Sequence, residues 1–192
     1  MKASPSAPVP STHLMSSPFL PCICFSQLDG MVAPGTELHI MAMLPVLEQQ
    51  NMLKAGGLEP PENITIFHYT GSTSNRKDLE AALHNSDHDL DITNFDSVMI
   101  LADEGEEASD PIAADSKSIA TLLLLRDMER HSHELFRERN AKGVLSVVEK
   151  RELCEEPQAG GNGDINIVCE ILDGRTRDIV KQNPGTVGLR TR

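Results

Sequence analysis

The chain has 192 residues with 29 acidic and 17 basic side chains, a formal net charge of -12. Nucleic acids and anionic membrane surfaces bind clustered Lys and Arg, so this charge argues against both as partners. The length suits one domain with a sizeable core. No apolar run approaches the roughly 20 residues of a transmembrane helix, so we expect no direct insertion of this segment into a membrane.

The amino-terminal part is rich in Ser and Pro, which disfavour regular packing. We therefore predict that residues 1–27 are disordered and that the folded domain covers residues 28–183, followed by a tail at 184–192. A transit peptide would carry several arginines, and this segment has a single Lys. Four cysteines in a chain of this size do not form a disulfide framework, so we interpret them as reduced thiols.

Apolar runs typical of strands alternate with segments of helical spacing from Pro34 onward. The predicted strands lie in "TELHIMAML", "ENITIFHYTG", "FDSVMILAD" and "DINIVCEILD". The predicted helices lie in "LPVLEQQNMLKAGG", "SNRKDLEAALH", "DSKSIATLLLLRDMERHSHELFRER" and "GRTRDIV", with Asp115 or Ser116 as the cap of the long one. This alternation predicts an α/β fold with a Rossmann-like parallel sheet and flanking helices.

Nucleotide-binding motifs are absent from the sequence. Neither G-x-G-x-x-G nor G-x-x-x-x-G-K-[ST] occurs, and Ala42 and Met43 stand where an NAD-binding strand would end in an acidic residue. A Rossmann-type oxidoreductase is therefore a disfavoured alternative. The predicted sheet also lacks an obvious first strand, so we expect the fold to be incomplete at both ends.

Four ordered blocks carry a resemblance to a known family. "LDGMVAPGTELHIM", "FDSVMILADE", "DSKSIATLLLLRDM" and "CEILDGRTRDIV" resemble blocks of the CASTOR and POLLUX ion channels, and the likeness runs from about Leu28 to Val180. In that family a membrane pore is followed by regulator-of-K+-conductance (RCK) domains, and this chain is similar to the C-terminal one. The segment between 131 and 163 corresponds to a variable loop of the family.

The resemblance implies a function. The parent protein would be a tetrameric cation channel whose RCK domains form a gating ring with each other and with the pore subunits. Plant members lie in the nuclear envelope or in plastids and are linked to calcium signalling. This chain would be a non-catalytic gating domain without the pore, since no pore segment is present in it. The alternative is a soluble nucleotide- or cation-binding RCK-type subunit of a separately encoded transporter.

Acidic residues after the strand "FDSVMILA" form the candidate metal site. Asp103, Glu104, Asp110 and Asp115 follow a strand whose carboxyl end would face a ligand crevice, and oxygen clusters bind hard cations such as Ca2+. The other interpretation is that Asp115 caps the long helix, that Asp103 accepts backbone N–H bonds in the turn, and that the remaining carboxylates are solvated.

The block "LDGRTR" supplies the second candidate site. Asp173 is followed closely by Arg175 and Arg177, and an arginine binds a carboxylate through two hydrogen bonds. Such pairs form either within a domain or between subunits. The family resemblance implies an interface or gating role for these three residues.

Overall fold

The computed structural model describes residues 11–16, 22–55, 61–84, 90–102, 110–141 and 165–182. In these residues parallel strands alternate with α-helices. The strands are β1 (Thr12–Ser16), β2 (Thr36–Ala42), β3 (Ile64–Thr70), β4 (Ser97–Ile100) and β5 (Asn166–Cys169). The helices are α1 (Cys22–Met31), α2 (Val46–Ala55), α3 (Arg76–His84), α4 (Pro111–Ala141) and α5 (Gly174–Gln182), with a 3-10 turn at Ile92–Asn94.

The sheet has the order β3-β2-β1-β4-β5, and every neighbouring pair is parallel. The chain therefore builds outward from β1 in one direction and then crosses to the other side at β4. This arrangement confirms the predicted Rossmann-like α/β class. It also confirms that "FDSVMILADE" contains an inner strand, because β4 lies between β1 and β5.

Strand β1 is the central strand, and the sequence analysis did not predict it. The expectation of disorder over residues 1–27 is wrong for Thr12–Ser16 and for the residues from Cys22 that begin α1. The expected absence of a first strand is likewise wrong. Five residues between two prolines carry almost no periodic signal, and β1 is stabilised by pairing with β2 and β4 on its two sides.

Helices cover the two faces of the sheet unequally. On the face that we call the α4 face, the buried strand residues Leu14, Val98 and Ile100 pack in one cluster with Leu122 and Leu125 of α4. Helices α3 and α5 contribute to the same cluster. On the opposite α1 face, a smaller cluster of β2 and β3 side chains packs with residues of α1 and α2.

The long helix α4 differs at both ends from its predicted bounds. Its first residue is Pro111, which has no N–H to leave unpaired, and Asp110 caps it by accepting bonds from the N–H groups of Ile112 and Ala113. Asp115 and Ser116 lie inside the helix, so their predicted capping role is wrong. The helix continues to Ala141, so residues 131–141 of the expected variable loop are helical, and the rest of that loop lies outside the described residues.

Membrane crossing is not a property of these helices. In the part of the chain that the structure describes, none is both long enough and apolar enough to span a bilayer.

Candidate functional site

Two of the four predicted metal-site residues lie in the described part of the chain. Asp110 is exposed and uses its carboxylate to cap α4. Asp103 and Glu104 lie outside the described residues. No group of three or more His, Cys, Asp or Glu side chains in the described ranges is placed to hold a metal ion. Calcium binding at Asp103 and Glu104 therefore stays a prediction.

Asp115 is fully buried, and its carboxylate serves the backbone of another element. One oxygen accepts a hydrogen bond from the N–H of Leu172 at 2.7 Å, and the other accepts one from the N–H of Asp173 at 2.9 Å. These two N–H groups follow the end of β5, where no further strand residue is available to pair with them. Asp115 thus fixes the β5–α5 junction against α4, because a carboxylate forms strong hydrogen bonds to backbone N–H groups.

Asp173 caps helix α5 with its own side chain. Its carboxylate accepts bonds from the N–H groups of Arg175 and Thr176, at 2.8 and 3.3 Å. The Arg175 guanidinium also donates to both carboxylate oxygens, at 3.2 and 3.1 Å. The side-chain bond from Arg175, together with these backbone bonds, lowers the pKa of Asp173 below its ordinary value. The predicted pairing within "LDGRTR" therefore exists between Asp173 and Arg175.

Arg177 does not join that pair. Its Nε lies 3.9 Å from the carboxylate of Asp178, and both side chains are mostly exposed. The described part of α5 accordingly presents two separate basic groups, Arg175 held at the cap and Arg177 on the open surface. Lys181 in the last turn is also exposed.

A second buried carboxylate holds the opposite end of β5, and the sequence analysis did not identify it. Glu129 accepts a bond from the N–H of Ile165 at 2.6 Å, and Arg126 donates both to Glu129 at 2.8 Å and to the Ile165 carbonyl at 3.0 Å. The signal was present in the sequence. Glu129 follows Leu122 and Leu125 at helical spacing, so an acidic residue falls on the buried face of α4.

The carboxyl ends of β4 and β5 are also joined. The N–H of Ala102 donates to the Glu170 carboxylate at 3.1 Å, and the N–H of Glu170 donates to the Ile100 carbonyl at 2.8 Å. Cys169 lies beside this connection. Burial, together with the nearby Asp115 and Glu170 carboxylates, raises the pKa of the Cys169 thiol to about 11. Such a thiol is almost wholly protonated at neutral pH and is a poor nucleophile.

A buried histidine in β2 is another feature that the sequence analysis missed. His39 is stacked against Phe67 and Tyr69, and its Nδ1 lies 3.0 Å from the Tyr69 hydroxyl. Phe95 meets the same ring edge-on. The aromatic neighbours place His39 in the core of the α4 face, so we interpret it as a packing residue.

The strand order locates the place where a Rossmann fold would bind a dinucleotide. That place lies at the carboxyl ends of the strands where the order reverses, between β1 and β4. The pyrophosphate would bind at the turn after β1 and a ribose hydroxyl near the end of β2, and this chain has "SPFLP" and "MLP" there. The β1–α1 connection has no glycine to let the backbone approach a pyrophosphate, and the buried Ala42 ends β2 where an acidic residue would bind ribose. The sequence at these two positions therefore gives no support to the oxidoreductase alternative, and residues 17–21 lie outside the described part of the chain.

The comparisons with known proteins point to one group. No protein-family model matches the chain. The chain is 38% identical over 160 residues to the probable ion channel CASTOR of Oryza sativa subsp. japonica, and 36% identical over 156 residues to the ion channel POLLUX of Lotus japonicus. These matches cover 80% of this chain and 16% of each relative.

The ion channel CASTOR of Lotus japonicus gives a similar result, with 34% identity over 160 residues. The matched stretch accounts for only about a sixth of the length of these relatives, while it accounts for most of the present chain. The resemblance seen in the four sequence blocks is thereby confirmed, and over this stretch the chain is similar to the ion channels of the CASTOR and POLLUX family.

Proposed function

We propose that this chain is a regulatory, gating domain of a CASTOR/POLLUX-like cation channel and that it is non-catalytic. One observation carries the proposal. The stretch that matches the named ion channels forms a parallel α/β sheet whose described helices do not span a membrane. A region of this kind contributes to a channel by binding and moving rather than by conducting ions.

The β5–α5 junction could transmit a movement of α4 to α5, because it is hydrogen-bonded to both helices. Asp173 donates its backbone N–H to Asp115 of α4, and its side chain caps α5 and binds Arg175. A shift of α4 would therefore reorient α5 and its exposed basic groups. We assign Asp173, Arg175 and Arg177 to an interface with neighbouring domains on this basis, with Asp115 as the residue that positions them.

The proposed partners are other domains of the same kind and the pore subunits of a tetrameric channel. The domain would thus be held at a membrane through the parent channel, in the nuclear envelope or plastid of plant-like organisms. Its own described helices need not enter the bilayer for this.

A chimeric channel tests the gating role. The matching sixth of the rice CASTOR relative is replaced by this chain, and single-channel currents are recorded in planar bilayers. We expect Arg175→Gln and Arg177→Gln to change the open probability without changing the unitary conductance, since neither residue would line the pore. Lys54→Gln on α2 is the matched control. A change in conductance, or no change in open probability, would contradict the proposal.

We further propose Ca2+ as a ligand of this domain. Asp103 and Glu104 directly follow Ala102, at the carboxyl end of an inner strand of the sheet. Isothermal titration of the purified chain with Ca2+ tests this, and Asp103→Asn with Glu104→Gln should abolish any heat of binding. Binding that survives both changes would place the cation elsewhere, and binding of a nucleotide instead would favour the alternative of a soluble subunit.

A further inference from the structure

The α1 face of the sheet is covered over only part of its width. In the strand register, Ile40 of β2 and Met99 of β4 align with the same position of β1, and Met99 aligns with Val168 of β5, so Ile40, Met99 and Val168 share this face of the sheet. Ile40 is buried under α1 and α2, whereas Met99 is 40% exposed and Val168 is 51% exposed. The two exposed residues are direct cross-strand partners and form an apolar surface that we call the open strip.

Parallel sheets normally have both faces covered, because their strands carry apolar residues on both sides. Neighbouring strands lie about 4.8 Å apart, so β4 and β5 together offer a strip about 10 Å wide, close to the diameter of one helix. Met99 and Val168 remain substantially exposed on this face. The strip thus has the size and character of a docking site for one helix from outside the domain.

Helix α5 has the properties that complement the open strip. Its Ile179 is 62% exposed and lies one turn after Arg175, whose side chain is 78% exposed. Residues 174–182 hold three basic side chains and one acidic one, in a chain whose net charge is -12. Glu170, an exposed residue two positions after Val168, follows the end of β5, and its carboxylate accepts a bond from the N–H of Ala102. An apolar residue flanked by a guanidinium on α5 therefore matches an apolar strip flanked by a carboxylate.

We propose that the open strip of one copy of this domain receives helix α5 of a second copy, with Ile179 packed on Met99 and Val168 and with Arg175 near Glu170. This contact rests on the proposed function, which makes further copies of the domain the partners, and it names the two surfaces that meet. The contact joins two different surfaces, so successive copies would be related head to tail. Such copies form a closed ring when the rotation from one copy to the next divides a full turn evenly.

Self-association of the purified chain tests the contact separately from channel activity. Sedimentation velocity is run on the unaltered chain, on Val168→Asp in the strip, and on Ile179→Asp in the helix. We expect each substitution to weaken self-association by about tenfold or more, because each places a charge in an apolar contact. Met31→Asp is the matched control, since Met31 is an 84% exposed methionine on α1 that takes no part in the contact.

A mixture of the two variants makes the test specific. A V168D copy keeps an intact helix and an I179D copy keeps an intact strip, so the mixture should associate better than either variant alone. The milder pair Val168→Thr and Ile179→Gln repeats the comparison if an aspartate variant unfolds. The proposal is overturned if the unaltered chain is monomeric at about 100 µM, if both variants behave like M31D, or if the mixture gains nothing. Channel currents of the chimera report on gating independently of these results.

Discussion

Asp115 in α4 accepts a hydrogen bond from the backbone N–H of Asp173 at 2.9 Å, and Asp173 in turn caps α5 with its side chain. The buried carboxylate of Asp115 therefore holds Asp173 in place, and Asp173 holds the first turn of α5. Since Asp115 is completely buried, water cannot replace it in this role. This relationship connects the helix that lies across the sheet with the helix that carries the proposed interface.

Replacing Asp115 should destabilise the domain strongly. Asp115→Asn keeps one acceptor and turns an N–H group toward the second backbone N–H, so we expect a loss of about 2–3 kcal/mol in the free energy of unfolding. Urea denaturation followed by circular dichroism measures it. Asp178→Asn, at an exposed position of α5, serves as the control and should have little effect. A D115N chain as stable as D178N would show that the junction is held in another way.

The pair formed by Arg126 and Glu129 should behave as one unit. Glu129 is almost fully buried and binds both Arg126 and the N–H of Ile165. We expect Glu129→Ala to cost about 3 kcal/mol, because Arg126 and a backbone N–H lose their partner together. A double-mutant cycle with Arg126→Ala should reveal a coupling energy of at least 1 kcal/mol, roughly. Additive effects of the two substitutions would contradict this.

Stability should fall as the pH drops below about 6.5. Burial lowers the pKa of His13, with Asp96 opposing part of the shift, and burial also lowers the pKa of His68. The unfolded chain therefore binds protons at a higher pH than the folded one. This contribution is fully present above 6.5, the ordinary pKa of histidine, and is lost progressively as the pH falls from there through the lower folded pKa values.

Urea midpoints measured between about pH 7.5 and pH 5 check this sign. The double variant His13→Asn with His68→Asn should show a flatter dependence on pH than the unaltered chain. A chain that becomes more stable on acidification over this range would disprove the assignment.

Cys169 should react slowly with thiol reagents. A pKa of about 11, against an ordinary value of 9.0, leaves about 100-fold less thiolate at a given pH. In a chain in which the other three cysteines are changed to serine, we expect the reaction with Ellman's reagent at pH 8 to accelerate by about that factor on unfolding in urea. Equal rates in the folded and unfolded chain would show that the thiol is neither buried nor beside a carboxylate.

Several of the chain's carboxylates have a structural role, which differs from the cation binding considered from the sequence. Asp29 of α1 accepts bonds from the N–H groups of Asn63 and Ile64, which begin β3. Asp96 accepts from the N–H of Thr12 at the start of β1. Like Asp115 and Glu129, these carboxylates accept hydrogen bonds from backbone N–H groups at strand ends. Those N–H groups would otherwise lack hydrogen-bond partners. A carboxylate cluster read from sequence is therefore weak evidence for a cation site.

Particular elements show where sequence reasoning succeeded. β2, β3, β4 and β5 have apolar runs bounded by turn residues, and α3 and α5 have polar faces at helical spacing, so their existence followed from local pattern. The family relationship followed from four ordered blocks. The pairing of Asp173 with Arg175 was one of the possibilities read from residues two apart, and it exists because both stand at a helix start.

The sequence by itself determined the α/β class and most of the strands, because burial imposes periodic patterns that are visible within ten residues. It also carried the similarity to the CASTOR and POLLUX ion channels. Only the tertiary structure decided that Thr12–Ser16 is the central strand, since a strand so short is held by its neighbours rather than by its own composition. It likewise decided the role of Asp115. The N–H groups that it binds lie 57 and 58 residues away, and no local pattern encodes a hydrogen bond across that separation.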